Sequence, residues 1–440
     1  MDSDDEIFKD DDNLFVSPEL EEEDECYEGL VNPELIVNAQ PQKKPIFHSY
    51  LIAKSIFVGD LIYSWYRNKR NKSILKKTIE NGTRPDVGVS REKLVSRDDV
   101  VNCLNKILKP NEDQSFYHVI CGEHGSGKTT LMKISSNNVK NGVIYVEIPS
   151  DTKDFGKAFG KALNFEFEEH ISFTKQLIRK MGNTNNTFEE AKWKRALGAF
   201  KHVAKVYKAK HGVPPIIIYD NISQLAHKNP DILDILQDDA KNNADTRKYI
   251  AVFVSSEGMI PKRMECRSSW SRAEPVMEIG DLSKEESIKY LTDVRKVKEA
   301  ERLYKIAGGL IVDLKFVADK SIAGLKYEDI KQIMLSKVKK KFESAKLLRN
   351  QSRHEIGKRV INVLLDSKEI DTDIFREFFK DNEFDDVLKE NVFAYHPSRG
   401  IGGTVTFQSQ SVVFYVQENA ELYAKLIVSK KLQPPIKQIL

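Results

Sequence analysis

The chain has 440 residues, of which 40 % are apolar and 31 % charged, and its formal net charge is +3. This is the composition of a globular protein with two or three domains. Four widely spaced cysteines without a C-x-x-C pair argue against a zinc site or a disulfide framework and favour an intracellular, reducing compartment such as the cytoplasm.

The first part of the chain differs from the rest. Residues 2–28 contain fourteen acids and one lysine, so this segment carries −13 and the remainder +16. Such a segment cannot bury a core, and we predict a disordered acidic tail over residues 1–45. It is either a solubilising tail or an arm that lies on the basic remainder or binds a partner.

Residues 46–66 form a mostly apolar stretch with the length of a membrane span. Two charges inside it, Lys54 and Asp60, cost about 5–7 kcal/mol on the insertion scale, whereas its nine Leu, Ile, Val and Phe residues return about 3–5 kcal/mol. We therefore predict an amphipathic helix, packed on the next domain or lying on a membrane surface, and then a basic linker to residue 92.

A second predicted helix begins near Leu94 and passes Arg97 and Asp98. A helix entered through an Arg-Asp pair shortly before a phosphate-binding loop often supports the adenine side of a nucleotide pocket. Arg97 is therefore a candidate for nucleotide binding, although a plain amphipathic helix is the alternative.

The strongest motif is Gly122-Glu123-His124-Gly125-Ser126-Gly127-Lys128-Thr129, which matches G-x-x-x-x-G-K-[ST] without a mismatch. A predicted strand precedes it, and a predicted helix follows from Thr130. Glycines allow the tight turn, and the loop N–H groups converge on phosphate at the positive end of the helix. We expect these eight residues and Thr130 to bind ATP, with Lys128 on the β- and γ-phosphates and Thr129 on Mg²⁺.

Further apolar runs alternate with helical patterns up to residue 282. Because these runs are continuous rather than alternating, they predict a parallel sheet that is buried on both faces. We predict an α/β P-loop ATPase core over residues 93–282, with strands at 116–121, 143–146, 216–220, 250–254 and 276–279.

Asp220 ends one of these strands and is the candidate Walker B aspartate that holds Mg²⁺. Asn221 follows it, where many hydrolytic relatives have an acid that activates the attacking water. Asparagine can position water but cannot accept its proton at neutral pH. Hydrolysis is therefore slow, or another carboxylate helps, with Glu123 and Glu257 as candidates.

Two further features follow the strand at 250–254. Its polar tip, Ser255 and Ser256, is a candidate sensor of the γ-phosphate, with Ser256 as the contact. Arg272 can stabilise transition-state charge in its own subunit or in a neighbouring one, but a solvated surface arginine is the commoner case.

The remaining chain is predominantly helical. We predict a helical lid over residues 283–349, which opens with the capping box Ser283–Glu286 and is broken at Gly308-Gly309. Three helices and a β-hairpin predict a winged helix over residues 350–427, and a tail follows over residues 428–440.

Together these motifs resemble the signal-transduction (STAND) P-loop ATPases of AAA+-like build, especially the family named for its abundance in archaea, and multicopy P-loop ATPases of fungi. The resemblance covers residues 94–423 and rests on Arg97, the P-loop, Asp220, the Ser255-Ser256 tip, the lid and the winged helix. It implies a switch controlled by nucleotide. The proline of the Gly-x-Pro motif found in many relatives is absent here, and no lid arginine of the sensor-2 type is evident.

We therefore expect an ATP-binding regulatory switch with slow Mg²⁺-dependent hydrolysis, which acts on a protein partner or through self-association. The alternatives are a nucleic-acid regulator that uses the winged helix and a membrane-associated nucleotide-binding scaffold. Acids in residues 383–390, the recognition segment of the winged helix, disfavour nucleic acid because they repel phosphates.

Overall fold

The computed structural model describes residues 44–167, 187–379, 383–400 and 402–423. Most of the predicted acidic tail and the whole predicted C-terminal tail therefore lie outside the described residues. The chain divides into two compact units, Met1–Ile56 and Phe57–Leu440. The functional elements described below all belong to the second unit.

Helix α1 spans Lys44–Asn81 without interruption. The prediction of a basic linker after residue 66 is therefore wrong for residues 67–81, which belong to this helix. No glycine or proline interrupts the chain between Gly59 and Gly82, and Gly82 ends the helix with a positive φ of 69°. Leu75 and Ile79 are buried in the main core, so packing stabilises the basic part of the helix. Among the described helices, none is long and apolar enough to cross a membrane.

The predicted parallel sheet is confirmed. Its strands are β1 (His118–Cys121), β2 (Val143–Glu147), β3 (Ile216–Asp220), β4 (Ile250–Val254) and β5 (Met277–Glu278), in the spatial order β2-β3-β4-β1-β5. Every neighbouring pair is parallel. The carboxyl ends of all five strands consequently meet at one edge, where ligands bind in open α/β sheets.

Both faces of this sheet are covered, as continuous apolar strands require. Ile217 and Phe253 pack into one hydrophobic cluster, while Ile218 and Val252 pack into another on the opposite face. The covering helices are α2 (Asp98–Ile107), α3 (Lys128–Val139), α4 (Phe155–Ala162), α5 (Thr187–His211), α6 (Ser223–Lys228), α7 (Pro230–Asp245) and α8 (Met259–Glu265).

A helical region follows the sheet. Helix α9 (Lys284–Lys289) begins with the predicted capping box, in which Ser283 and Glu286 exchange hydrogen bonds, and continues into one π-helical turn, Tyr290–Val294. Three more helices complete the region, α10 (Ala300–Ala307), α11 (Ile311–Ile322) and α12 (Tyr327–Ser344).

The last region has the winged-helix topology. Its elements are α13 (His354–Ser367), β6 (Ile370–Asp371), α14 (Thr372–Glu377), α15 (Glu383–Lys389), β7 (Phe393–His396) and β8 (Thr404–Phe407). The three strands form an antiparallel sheet in the order β6-β8-β7. Two helices that the sequence pattern did not predict follow it, α16 (Gln410–Glu418) and α17 (Ala420–Tyr423).

Candidate nucleotide-binding site

The loop Gly122–Thr129 leaves β1 and enters α3 at the carboxyl edge of the sheet. Gly125 and Gly127 take positive φ angles of 88° and 90°, which only glycine adopts readily. A β-carbon on Gly122 would lie 2.2 Å from the carbonyl oxygen of Ile279. The loop therefore needs its glycines, and the first N–H groups of α3 point out of the helix toward a bound anion.

Lys128 is buried at the base of this loop and is only 5 % exposed. Its ammonium donates to the carbonyl oxygen of Glu123 at 2.6 Å and to Ser126 Oγ at 3.2 Å. Burial lowers the pKa of Lys128 to about 8, although the Glu123 carboxylate works against this shift. A bound polyphosphate would supply the negative charge that this buried cation requires.

Asp220 and Thr129 lie next to each other, as the two predicted Mg²⁺ ligands should. Asp220 is buried and accepts hydrogen bonds from the Tyr145 hydroxyl and the backbone N–H of Asn221. Burial raises the pKa of Asp220, while the nearby Thr129 hydroxyl acts to lower the pKa of this carboxyl. A carboxylate beside a hydroxyl presents the hard oxygen ligands that Mg²⁺ prefers, so these residues fit the ion.

Asn221 has a structural role in this arrangement. Its φ is 65°, a left-handed conformation that asparagine tolerates better than most residues. Its side-chain amide donates to the carbonyl oxygen of Ile148 at 3.3 Å. The amide is thus already engaged with the backbone beyond β2.

The tip of β4 brings three polar groups to the same edge. Ser223 Oγ lies 3.1 Å from Ser255 Oγ and 3.4 Å from Ser256 Oγ. Glu257 pairs with His227 at 2.8 Å. The sequence gives no sign that His227 belongs to this site, because only the fold brings α6 beside the tip of β4.

A cleft of about 710 Å³ opens beside this tip and is called the charged cleft below. P-loop residues line one side of it, the β4 tip and α8 line another, and winged-helix residues line a third. Its polar lining includes Glu123, His124, His227, Ser256, Glu257, Lys262, Arg263, Arg376 and Lys389. The structure thus brings the predicted sensor Ser256 and both candidate carboxylates to one cleft.

A smaller cavity of about 320 Å³ lies on the other side of the loop and is called the apolar cavity below. Arg97 lines it, and its guanidinium donates to the carbonyl oxygens of Gly280 at 3.0 Å and Asp281 at 3.4 Å. The other lining residues come from before α2, from the P-loop and α3, and from the end of the core and the lid, namely Val89, Lys93, Leu94, Val95, Gly125, Ser126, Gly127, Thr130, Leu131, Ile134, Leu282, Tyr290, Arg295, Ile311, Val312 and Lys315.

Two lid cations in this cavity, Arg295 and Lys315, escaped sequence reasoning. Arg295 ends the π-helical turn and pairs with Asp319, while Lys315 projects from α11. The π-helical turn displaces Arg295 from the pattern of a regular helix, which is why its spacing gave no signal.

Arg272 lies away from the site in its own chain. Its carbonyl oxygen accepts from the Tyr117 N–H at 2.9 Å, before the start of β1, whereas the P-loop follows the end of β1. Four strand residues at about 3.3 Å each separate the two positions by roughly 13 Å. The Arg272 side chain pairs with Asp245 and stacks on Phe116. The structure thus contradicts the expected charge stabilisation within one subunit.

The P-loop also contacts the region after the winged-helix hairpin. The Gln408 side chain is close enough to the Glu123 carboxyl to lower its pKa, and the Oε1 of Gln408 accepts from Lys341 Nζ at 2.8 Å. Desolvation raises the pKa of Glu123 to about 8, and the carboxylates of Asp281 and Glu278 add to this shift while Lys128 opposes it.

Comparison with known proteins gives one family. The model of an ATPase domain predominantly from Archaea matches residues 94–317, which is 224 of the 440 residues. A sequence search among curated proteins gives no match.

Solved structures match this chain at low identity and with TM-scores below 0.5. A Walker-type ATPase of Pyrococcus abyssi has a TM-score of 0.48 at 12 % identity, covering 74 % of this chain and 97 % of its own. The ORC2 protein of Aeropyrum pernix has a TM-score of 0.38 at 14 % identity, with coverages of 78 % and 96 %. The Cdc6p protein of Pyrobaculum aerophilum has a TM-score of 0.37 at 11 % identity, with coverages of 78 % and 99 %.

Proposed function

Because this chain belongs to the family of ATPase domains found predominantly in Archaea, we propose that it is a regulatory switch driven by ATP. As a member of that family the protein is an ATPase of the P-loop kind. We further propose that the protein hydrolyses ATP slowly with Mg²⁺ and passes a conformational change to the lid and the winged helix.

The contact between Glu123 and Gln408 carries this proposal. It joins the phosphate-binding loop directly to the segment between β8 and α16. Loss or gain of a γ-phosphate beside Glu123 would change the charge that Gln408 meets. A nucleotide-dependent signal would thereby reach the winged-helix region through the interaction of these two side chains.

Lid contacts support the same direction of signalling. The backbone N–H of Val312 donates to the Gly125 carbonyl at 3.3 Å, so the start of α11 touches the P-loop. A β-carbon on Gly308 would lie 2.2 Å from the β-carbon of Gln410, and one on Gly309 would lie 2.1 Å from the carbonyl oxygen of Leu282. These glycines therefore serve close packing at the junction of core, lid and winged-helix region.

We also propose the domain division inferred from the sequence, with a core over residues 93–282, a lid over 283–349 and a winged helix over 350–427. Separate hydrophobic clusters centred on the sheet, on α10 to α12 and on α13 to β8 support it. The finer resemblance to STAND proteins and to multicopy fungal ATPases belongs to the same proposal, as does an intracellular, reducing location.

ATP and Mg²⁺ are the proposed cofactors, with Thr129 and Asp220 as the protein ligands of the ion. Mg²⁺ would neutralise charge on the phosphates. Among the described residues no group of three or more His, Cys, Asp or Glu could hold a metal ion. A site that combines one carboxylate, one hydroxyl and nucleotide phosphates agrees with this, because Mg²⁺ is rarely held by an all-protein cage.

Slow hydrolysis follows from the candidate bases. Asn221 cannot accept a proton, and its amide is held by Ile148. Glu123, with a pKa of about 8, is mostly protonated at neutral pH and cannot act as a base there. Glu257, paired with His227, remains the best candidate in the charged cleft.

Partners other than nucleotide are proposed in a definite order. We place a protein partner or self-association first, because Arg272 could reach a nucleotide only in a neighbouring subunit. Nucleic acid comes second. Helix α15 begins with Glu383, and its Phe384 ring lies under Lys262 and Arg376, so the recognition segment is acidic and engaged with the ATPase side of the cleft. Membrane association concerns α1 and is compatible with the switch.

Phosphate release tests the enzymatic part. Lys128→Ala is expected to lower the rate by about 10²–10³, the usual effect of removing a preorganised donor. Lys133→Ala, on the same helix but paired with Glu147, is the matched control and should change little. Equal rates for the wild type and Lys128→Ala would exclude hydrolysis at this site.

Asn221→Asp tests the explanation for slow turnover. A carboxylate at this position should raise the rate by about tenfold. This is less than the 10²–10⁴ of a well-placed base, because a carboxylate cannot donate to the Ile148 carbonyl oxygen and so loses the hydrogen bond that orients the asparagine side chain. An unchanged rate would mean that Asn221 does not limit hydrolysis.

Nucleotide release tests the switch itself. Gln408→Ala removes the link to Glu123, and we expect release of a fluorescent ADP analogue to be several-fold faster. Gln332→Ala, at an exposed position of α12, is the control. If both variants release nucleotide at the wild-type rate, the proposed coupling through Gln408 is wrong.

A further inference from the structure

Helix α1 exposes an unusual concentration of large apolar side chains. Seven of the ten residues from Phe57 to Tyr66 are large and apolar or aromatic, and each is 44–64 % exposed. They are Phe57, Val58, Leu61, Ile62, Tyr63, Trp65 and Tyr66. Contiguous exposed apolar surface of this kind marks an interaction site.

The side of the same helix that faces the protein is polar. Asp60, Ser64, Arg67 and Asn71 recur at helical spacing, and all four are half-buried or buried. Asn71 Nδ2 donates to the Glu166 carbonyl at 2.7 Å, and its Oδ1 accepts from the Glu166 N–H at 3.0 Å. Arg67 pairs with the Glu166 carboxylate. This part of α1 therefore turns its polar side toward the protein and its apolar side outward, whereas a helix on the surface of a globular domain normally does the reverse.

The width of the apolar side indicates what covers it. At about 100° per residue, the seven side chains span roughly 240° of the helix circumference, and the four polar ones fall in the remaining sector. A partner helix covers only a narrow a/d stripe. A medium that surrounds the helix on most sides fits this arc better than one packed helix does.

A basic run follows the apolar segment directly. Lys69, Arg70, Lys72, Lys76 and Lys77 are exposed, and no acid occurs between Leu61 and Ile79. Lys69 lies over the Trp65 ring at 5.3 Å, which places a cation beside an exposed indole. Tryptophan and tyrosine next to lysine and arginine match the chemistry of the interface between acyl chains and anionic headgroups.

We propose that residues 57–66 of α1 bind the interfacial region of a membrane that contains anionic lipid, with the basic run on the headgroups. The helix lies in the surface, since no described helix is apolar enough to cross a bilayer. This interaction is independent of ATP binding. The acidic N-terminal segment could neutralise the basic run, but it would leave the seven apolar groups in water.

Flotation of the full chain with vesicles tests this proposal. Vesicles of phosphatidylcholine and phosphatidylserine should carry the protein, and pure phosphatidylcholine should carry it far less. The double variant Trp65→Ser/Tyr66→Ser should reduce binding at least tenfold. Its control, Ile322→Ser/Ile374→Ser, removes two equally exposed apolar residues elsewhere and should bind as the wild type does. Equal binding by both double variants would overturn the proposal.

Tryptophan fluorescence adds a local readout. Of the three tryptophans, Trp65 is 64 % exposed, whereas Trp193 is buried and Trp270 is partly buried. Anionic vesicles should therefore shift the emission to shorter wavelength, and Trp65→Phe should abolish the shift while retaining flotation. A shift that persists in Trp65→Phe would contradict insertion at this position.

Charge reversal separates lipid from other occupants. Lys69→Glu/Arg70→Glu should lose the preference for phosphatidylserine, whereas Lys339→Glu/Lys340→Glu, at exposed positions of α12, should retain it. Sedimentation without lipid is the last arm. Dimerisation that Trp65→Ser/Tyr66→Ser abolishes would assign the apolar side to a second copy, and stronger flotation after deletion of residues 2–28 would show the tail competing for a lipid site.

Discussion

The apolar cavity and the charged cleft flank the same phosphate-binding loop but are built differently. The cavity is lined mainly by aliphatic side chains, with cations at its margin, and its core and lid parts already touch through Val312 and Gly125. The cleft contains titratable groups from the P-loop, α6, α8 and the winged helix. The nonpolar surface of the cavity suits tight binding of the nucleotide's adenine ring. The titratable side chains of the cleft suit a change of structure when the γ-phosphate is gained or lost. Binding and response can therefore be altered separately.

Among the effects that distinguish the two sides of the loop, the largest is expected from pH, and it involves Glu123 in the charged cleft. Lys128 and Glu123 both have pKa values of about 8, the first lowered and the second raised by desolvation. As pH rises through 8, Lys128 loses its positive charge and Glu123 gains a negative one, so both changes oppose a polyphosphate. Affinity for MgATP should fall about tenfold between pH 7.5 and 9, a range in which the phosphates are already ionised.

Titration of binding by calorimetry at several pH values checks this effect. Glu123→Gln removes one of the two titrating groups and should make the fall with pH shallower, while Lys128 still titrates. A flat profile in the wild type would show that these two groups keep their charges throughout. A steeper profile in Glu123→Gln would have the wrong sign for the proposed linkage.

A smaller effect should distinguish the two sides by nucleotide. Ser256→Ala, in the cleft, should weaken ATP several-fold more than ADP, because Ser256 is the proposed contact of the γ-phosphate. Lys315→Ala, at the margin of the cavity, should weaken both nucleotides alike and by less than about tenfold, as expected of an exposed charge. Equilibrium binding of ATP and ADP to both variants measures the ratio. An equal ratio in Ser256→Ala and the wild type would remove Ser256 as a γ-phosphate sensor.

The sequence predicted the parts of this site that depend on local pattern. The P-loop, Asp220 and the Ser255-Ser256 tip lie at strand ends, and continuous, mostly apolar runs mark those strands without any tertiary information. Parallel register then places them at one edge, with Asp220 opposite Val254. The fold class followed from the same runs.

Contacts between distant segments were not predictable in this way. Gln408 reaches Glu123, and Arg97 reaches Gly280, only because the complete fold brings these segments together. Arg295 was hidden by the π-helical turn. The charges of the basic part of α1 predict a linker there, although the segment lacks glycine and proline, and only the fold shows that Leu75 and Ile79 are buried.

The smallest expected effect is that of Arg272→Ala. Because Arg272 lies at the amino edge of the sheet and pairs with Asp245, its removal should change ATP hydrolysis by dilute protein less than about twofold. An exposed ion pair of this kind contributes little to stability, so unfolding should shift only slightly.

Protein concentration makes this prediction decisive. If the specific activity of the wild type rises with concentration and that of Arg272→Ala does not, Arg272 acts on the nucleotide of a neighbouring subunit, and the charged cleft is completed by self-association. Arg247→Ala, which removes an exposed pair with Asp113 near the same edge, is the matched control. A large loss of activity at high dilution in Arg272→Ala would instead contradict the placement of this residue outside its own site, because no second subunit would then be present to supply the charge.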